Sequence, residues 1–313
     1  MQNEEKILIL GGSSYVGRSL SAELGYARTI CTYNSTNVKN GIFFNSLTMD
    51  LADVVSNPEG ISHAVILLGD TNPETCAADV QKSYALNVDS IKLIIKRLSE
   101  WHIKPIFASS EFVFDGTKGN YVETDPVNPI LTYGRQKVEI EKHLQDYCEN
   151  HVIIRLAKVF GDRLGDDTLF TKWIDDIANN RTIRCAYDQS FSPIYVRDVV
   201  RVVIQLTEAN CDGVFHLAST HAYSRVELLE ILLKHVNKYV DIDVEIVRCS
   251  ILDFDLLEKR PLNVSMVPDK LIQTIDFQVS DIESTCKDIV SDIFENGFDR
   301  LIDKPIETQN ERK

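Results

Sequence analysis

The sequence predicts an α/β fold, a doubly wound parallel sheet with a smaller C-terminal α/β lobe, and three observations carry that prediction. Short apolar runs at Lys6–Leu10, Thr29–Tyr33, His63–Leu68, Lys104–Ser109 and Val152–Leu156 have the length and composition of strands. Helical patterns at Ser14–Leu24, Ala77–Glu100 and Tyr133–Cys148 fall between most of them, the alternation that builds βαβ units. A glycine-containing turn, Gly11-Gly12-Ser13-Ser14-Tyr15-Val16-Gly17, joins the first strand to the first helix.

That turn lies where a Rossmann-type sheet holds the pyrophosphate of a dinucleotide. Gly11 permits the tight bend, the helix N-terminus offers unpaired N–H groups to an anion, and Gly17 lets the helix pack closely on the sheet. Read as G-x-x-G-x-x-G, the middle position is Ser14, whose small hydroxyl can itself donate to a phosphate. Ser13, Tyr15 and Val16 complete the expected contact set of the turn. The second strand ends Thr32-Tyr33-Asn34-Ser35. A carboxylate there would bind the 2′-hydroxyl of NAD and repel the extra phosphate of NADP. With neither an acid nor an arginine present, Tyr33 and Asn34 are expected to meet NADP or NAD, with NADPH slightly preferred. Asp50, and Leu68 and Gly69 at the end of the third strand, are also placed in the cofactor set. In the following helix Leu86, Ile91, Leu93, Ile94 and Leu98 recur at helical spacing, consistent with packing on the sheet.

The fourth strand runs into Ser109-Ser110-Glu111-Phe112, so a hydroxyl reaches the crevice at the C-terminal edge of the sheet. Further along, Tyr133-Gly-Arg-Gln-Lys137 sets a phenol and an ammonium one turn apart on one helix face. That spacing is expected to draw the phenol pKa down from about 10 towards neutrality, so that it can give or take a proton.

After Gly161 the alternation loosens. Helices are expected at Leu169–Ala178, Val196–Thr207 and Ser224–Val236, and strands at Gly213–Leu217 and Val244–Val247, within an irregular stretch over 237–265. The expected organisation is a cofactor domain over 1–160, rejoined by about 193–220. A substrate lobe takes 161–192 and 221–300, and 304–313 is a frayed polar tail.

The net charge of −14 argues against nucleic acid as a partner, although a local pocket can still be positive. Seven scattered cysteines without a Cys-x-x-Cys suit reduced, mostly buried thiols in a cytoplasmic protein. No His-x-x-x-His or similar spacing suggests a metal, and His216, in the apolar run Val214-Phe-His-Leu217, reads as a core histidine. Neither a signal peptide nor a membrane-spanning run is expected.

Ser110, Tyr133 and Lys137 behind a glycine turn resemble the extended short-chain dehydrogenase/reductases. Within them the chain looks most similar to the dTDP-4-dehydrorhamnose reductase group of nucleotide-sugar enzymes. The resemblance spans most of the chain, through Ala85-Leu-Asn87-Val, Glu123–Pro129, Arg155–Gly161, Ser192–Asp198, Gly213–Ala218 and Arg260-Pro-Leu-Asn263. It implies that Tyr133 is the general acid for a carbonyl, that Lys137 tunes it and holds the nicotinamide ribose, and that Ser110 binds the substrate oxygen. Asn87 matches a family asparagine that is structural or part of a proton relay. Glu111, Phe112, Lys158 and Arg260 fall at substrate positions, Lys158 and Arg260 as candidate diphosphate contacts. Ser110-Glu111-Phe112 and Lys158 depart from the Thr-Asp-Tyr and aromatic residues common in the reductases. The partner implied is a nucleotide sugar, and a homodimer is compatible. An epimerase or dehydratase on the same scaffold, and a non-catalytic NADP-binding regulatory subunit, are the alternative readings.

Overall fold

A computed structural model describes residues 5–296 of the chain. The first strand, β1 (Lys6–Leu10), has four of its five residues buried, because both faces of a parallel sheet are covered. It leads through the glycine turn into α1 (Tyr15–Leu24), then β2 (Thr29–Tyr33), the two-residue β3 (Ile42–Phe43) and β4 (Ile61–Ile66). Two short helices follow, α2 (Pro73–Ala78) and α3 (Val80–Tyr84), then a π-helical turn over Ala85–Asp89 and α4 (Ser90–Glu100). β5 (Lys104–Ser110), α5 (Thr132–Tyr147) and β6 (Val152–Leu156) complete the first run of βαβ units.

Beyond it come β7 (Val159–Phe160), α6 (Leu169–Ala178), β8 (Ile183–Ala186), β9 (Ser190–Phe191) and β10 (Ile194–Tyr195). Then α7 (Val196–Glu208) and β11 (Gly213–Leu217) return the chain to the large sheet, where β11 pairs in parallel with β6. The remaining elements are β12 (Tyr223–Ser224), α8 (Arg225–Val236), β13 (Ile246–Cys249), α9 (Asp269–Ile275) and α10 (Ile282–Asn296).

The seven-stranded sheet has the order β11-β6-β5-β4-β1-β2-β3 and is parallel throughout. The order reverses about β1, so the C-terminal ends of β1 and β4 open a crevice at that switch point. Alternation along β1 divides the core. Ile7 and Ile9 pack with Leu20 of α1 and Val202 and Leu206 of α7, whereas Leu8 and Leu10 pack with Ile91 and Ile95 of α4 and Ile140 and Leu144 of α5. A third apolar cluster, around Phe170, Trp173, Leu228, Leu232 and Val290, holds α6, α8, α10 and the β8–β13 pair together.

The predicted helix over 77–100 is interrupted. Asp79 leaves helical geometry (φ −137°, ψ 82°), ends α2, and caps α3 by accepting the Lys82 amide. The π-helical turn then inserts extra backbone before α4. Leu93, expected on the sheet side, is 67% exposed, while Ile91, Ile94 and Leu98 are buried. The third strand ends at Ile66 rather than Leu68, as the chain turns out of the ladder towards Gly69 (φ +135°). The strand expected at 244–247 lies at 246–249, in register with β8. The expected tail over 304–313 lies outside the described residues. Six of the seven cysteines are buried and all are free.

One buried ion pair ties four of these elements together. Arg155 of β6 donates through Nη2 (2.8 Å) and Nε (3.1 and 3.3 Å) to the Glu141 carboxylate of α5, and both side chains are over nine-tenths buried. Ser109 of β5 donates to the same carboxylate at 2.5 Å. His216 of β11 lies 3.4 Å from Arg155 Nη1, and its Nδ1 lies 3.0 Å from the Tyr121 carbonyl. Burial, with Arg155 beside it, lowers the imidazole pKa to about 3, so His216 is a neutral core residue. Removing one partner leaves an uncompensated buried charge. Arg155→Ala is therefore expected to cost about 3–5 kcal/mol in urea unfolding, and the double change Arg155→Met/Glu141→Leu much less.

Candidate active site

The glycine turn is fixed by close backbone approach. Gly11 has φ +94°, and a Cβ there would come within 2.8 Å of the Leu68 amide nitrogen. A Cβ on Gly17 would lie 2.4 Å from the Gly11 carbonyl. Ser14 is the N-cap of α1, its Oγ accepting the Gly17 amide at 3.0 Å, so one oxygen lone pair stabilises the helix while the hydroxyl proton stays available.

Above the turn a cleft of about 360 Å³ is lined by Gly11, Ser13, Ser14, Tyr33, Asn34, Leu68 and Gly69 from the predicted set. Thr32, Ser35, Thr36 and Ser46, which sequence reasoning did not select, add hydroxyls. No carboxylate, arginine or lysine lines it. Its glycine cradle, helix N-terminus and row of hydroxyls fit a dinucleotide, and nothing there would repel a 2′-phosphate.

Six predicted cofactor residues do not line this cleft: Tyr15, Val16, Gly17, Asp50, Asn87 and Lys137. Asp50 caps a short helical turn and pairs with Arg97 at 2.8 Å, outside the cleft. The Tyr15 side chain packs on Gly161, where the chain leaves β7, and burial raises its pKa to about 12. Val16 packs into the core beneath α1. Asn87 is buried behind the cleft as a tie. Its Oδ1 accepts the Asp70 amide at 2.7 Å, and its Nδ2 donates to the Asp70 carbonyl and to Gln136 of α5, each at 2.8 Å. Asn87 lies in the middle of the π-helical turn and is one of its buried residues.

Ser110, Tyr133 and Lys137 are brought together where β5 ends and α5 begins, each over nine-tenths buried. Ser110 Oγ accepts the Phe112 amide at 3.2 Å, and the Phe112 ring meets Tyr133 edge-on. Lys137 Nζ donates to the Ala108 carbonyl at 2.7 Å and lies 4.5 Å over the Phe107 ring. It sits 5.6 Å from the centre of the Tyr133 ring.

The expected depression of the phenol pKa is reversed. Burial drives Tyr133 well above its ordinary value, and Cys76, Glu111 and Asp70 add to that, while the contact with Ser110 only partly opposes it. Burial also lowers Lys137 to about 8, against the pull of Glu141. The ammonium is committed to Ala108, so its effect on the phenol is weaker than desolvation. The group that results is a phenol holding its proton, which is the form of a proton donor.

A second cleft, about 290 Å³, adjoins this end of β5 and is lined by Glu111, Phe112, Lys158 and Arg260 from the predicted substrate set. Arg184 and Arg225 join them. They come from β8 and the start of α8, segments that no local spacing connects to the rest. Arg225 Nε donates to Gln189 Oε1 at 2.6 Å, and Arg260 Nη2 donates to Glu74 at 2.5 Å. Lys158 has exposed surface yet lies within the concave cleft, where desolvation and Arg225 lower its pKa. Four cationic side chains, Arg260 among them already paired with Glu74, thus give one small cleft a positive lining on a chain of net charge −14.

Glu111 is the exception among them. Burial raises its carboxyl to about 8, with Lys158 opposing, so it is largely neutral at pH 7. A larger cavity of about 900 Å³ opens at the opposite edge of the sheet, around His63 and Lys104, and contains none of these residues. Among the described residues no cluster of His, Cys, Asp and Glu is placed to hold a metal, and no helix is long and apolar enough to cross a membrane.

Comparison with known proteins gives the family and the fold. Residues 5–294 match the family model described as RmlD substrate binding domain. A dTDP-4-dehydrorhamnose reductase of Aggregatibacter actinomycetemcomitans is 26% identical over 299 residues, covering 91% of this chain and 98% of the relative. Methionine adenosyltransferase 2 subunit beta of Xenopus tropicalis is 24% identical over 71% of this chain and 70% of its own. The crystal structure of dTDP-4-dehydrorhamnose reductase from Yersinia enterocolitica superposes with a TM-score of 0.79 at 22% identity, covering 92% of this chain and 99% of the other. That from Bacillus anthracis, in complex with NADP, gives 0.77 at 20% identity over 91% and 98%.

Two measurements test the site. A side chain at Gly11 must adopt an unfavourable positive φ and press on Leu68, at about 1–3 kcal/mol. Gly11→Ala is expected to weaken NADPH binding about tenfold or more in fluorescence titration. Glu111 has a folded pKa of about 8 against an ordinary 4.5. The folded state therefore holds more protons than the unfolded state in that window, and stability falls as pH rises from about 4.5 to about 8. Glu111→Gln is expected to flatten this decline in thermal melts, and an unchanged slope would count against the neutral carboxyl.

Proposed function

The chain belongs to the RmlD substrate binding domain family, and on that premise we propose an NAD(P)H-dependent reductase of a 4-keto nucleotide-linked deoxysugar. The observation that carries this reading is that Ser110, Tyr133 and Lys137 meet, buried, where β5 ends and α5 begins, on a sheet that also bears the cleft over the Gly11 turn and the cation-lined cleft at Glu111 and Phe112. The cofactor is placed over the Gly11 turn, in the layer formed by 1–160 and about 193–220. The sugar nucleotide is placed against the lobe of 161–192 and 221–300.

The bound nicotinamide supplies a hydride. The chain does the rest. Ser110 donates a hydrogen bond to the carbonyl oxygen and orients it, and Tyr133 gives its proton to that oxygen as negative charge develops there. Lys137, protonated below about 8, steadies the phenolate left behind. Arg184, Arg225, Arg260 and Lys158 hold the diphosphate, which fixes the distance from phosphate to reacting carbon. Phe112 and the walls of the cleft exclude water. Support for NADP comes from the carboxylate-free cleft and from the Bacillus anthracis structure containing it. NAD remains compatible, since MoeE5 was solved with UDP-glucose and NAD.

The match to methionine adenosyltransferase 2 subunit beta favours one second reading, a non-catalytic NADP-binding subunit. Turnover separates the two. A screen of 4-keto nucleotide sugars, following loss of reduced-nicotinamide absorbance, is expected to find a substrate. Tyr133→Phe is expected to lower kcat about 100-fold or more with NADPH binding unchanged. Cofactor binding without turnover of any such sugar would favour the subunit. Oxidised NAD retained through purification would favour an epimerase.

A further inference from the structure

The helix that carries Tyr133 and Lys137 has no cap of its own. Leu131 occupies the N-cap position of α5 and supplies no side-chain oxygen. The missing acceptor comes from far along the chain. Glu258 accepts the Thr132 amide through both carboxylate oxygens, at 2.9 and 3.1 Å, and the Thr132 hydroxyl at 2.9 Å. Arg135 Nη2 donates to the same carboxylate at 2.9 Å. Thr132 directly precedes Tyr133, so these bonds fix the first turn of the helix at the residue before the phenol. A carboxylate at a helix N-terminus also opposes the positive end of the helix dipole.

Glu258 lies on a strap, residues 254–260, that walls the anion cleft. Phe254, Leu256 and Arg260 line the cleft from this segment. A second foot of the strap rests on α2, where Glu74 accepts the Leu257 amide at 3.0 Å and Arg260 Nη2 at 2.5 Å. Arg260 Nη1 also reaches the Glu258 carbonyl at 3.5 Å. The residue that would meet an anion and the residue that caps the Tyr133 helix are thus two positions apart on one short segment.

We propose that Glu258 is a positioning residue whose capping of α5 couples occupation of the anion cleft to the placement of Tyr133. This rests on the reading of Tyr133 as the proton donor. An anion drawn to Arg260 holds the strap seated, the seated strap keeps Glu258 on Thr132, and the first turn of α5 stays ordered while the proton is transferred. Without Glu258 the phenol remains in the site but its position wanders, and misplacement of that kind costs about 100-fold in rate.

The test combines amide hydrogen exchange with kinetics on Glu258→Gln, Glu258→Ala and the wild type, each first shown to bind NADPH. The peptide spanning 131–136 is expected to exchange faster in Glu258→Ala, with Glu258→Gln intermediate because it keeps one acceptor oxygen. Adding dTDP is expected to slow exchange there in the wild type and not in Glu258→Ala. An unchanged peptide in Glu258→Ala overturns the capping role. Equal dTDP protection in both proteins, or none in the wild type, overturns the coupling. With a turned-over sugar, kcat is expected to fall about 100-fold in Glu258→Ala while the NADPH KM holds. A change confined to KM, with kcat unaltered, overturns the positioning role. If the wild type turns over no 4-keto sugar, the reductase reading fails, and the exchange results alone then decide the role of Glu258.

Discussion

Glu141 and Arg155 form the interaction on which the C-terminal end of the sheet depends. Neither charge can be buried alone, so α5 and β6 are held at the one separation that satisfies both. Ser109 joins the pair from β5, next to Ser110, and Glu141 sits one turn beyond Lys137 on α5. Strand end and helix start are therefore locked through a shared polar contact behind the site rather than by contacts within it. His216 brings β11 into the same network, so the chain's return to the sheet is registered against the site as well.

Within that frame, desolvation is the larger force on protonation. It keeps the Tyr133 phenol protonated, brings Lys137 to about 8 and leaves Glu111 largely neutral. The cations of the adjoining cleft do not reverse these directions: burial of the Glu111 carboxyl outweighs the downward pull of Lys158 and Arg225. A buried, protonated phenol thus lies beside a cleft lined with cations, and Glu111 and Phe112 line that cleft on the side of Tyr133.

Much of the fold was legible because strand and helix periods differ and because the glycine turn marks one position in a βαβ unit. The trio Ser110, Tyr133 and Lys137 was legible for the same reason: a strand end and a helical spacing are local signals. Electrostatic balance was not. Spacing placed an ammonium near the phenol, but burial and the Ala108 carbonyl decide what that ammonium does, and neither is written in five residues. Arg184 and Arg225 were missed because β8 and α8 approach the site only through tertiary packing. Asp50 was expected in the cofactor set, yet its carboxylate is taken by Arg97.

The π-helical turn at Ala85–Asp89 carries a consequence for how this chain tolerates change. Each residue of an α-helix advances about 100° around its axis, so deleting one residue from the turn would rotate everything after it by that angle. The stripe of Ile91, Ile94, Ile95 and Leu98 would swing off the sheet, and the exposed Leu93 would turn with it. The same deletion would carry Asn87 away from Asp70 and Gln136. The extra backbone works as a phase corrector, letting one stretch of helix satisfy the sheet with one part of its circumference and Asp70 and α5 with another. Indels at this point should therefore be far less tolerated than in the polar connections after Gly161, although both lie in segments that look like ordinary helix or loop in the sequence.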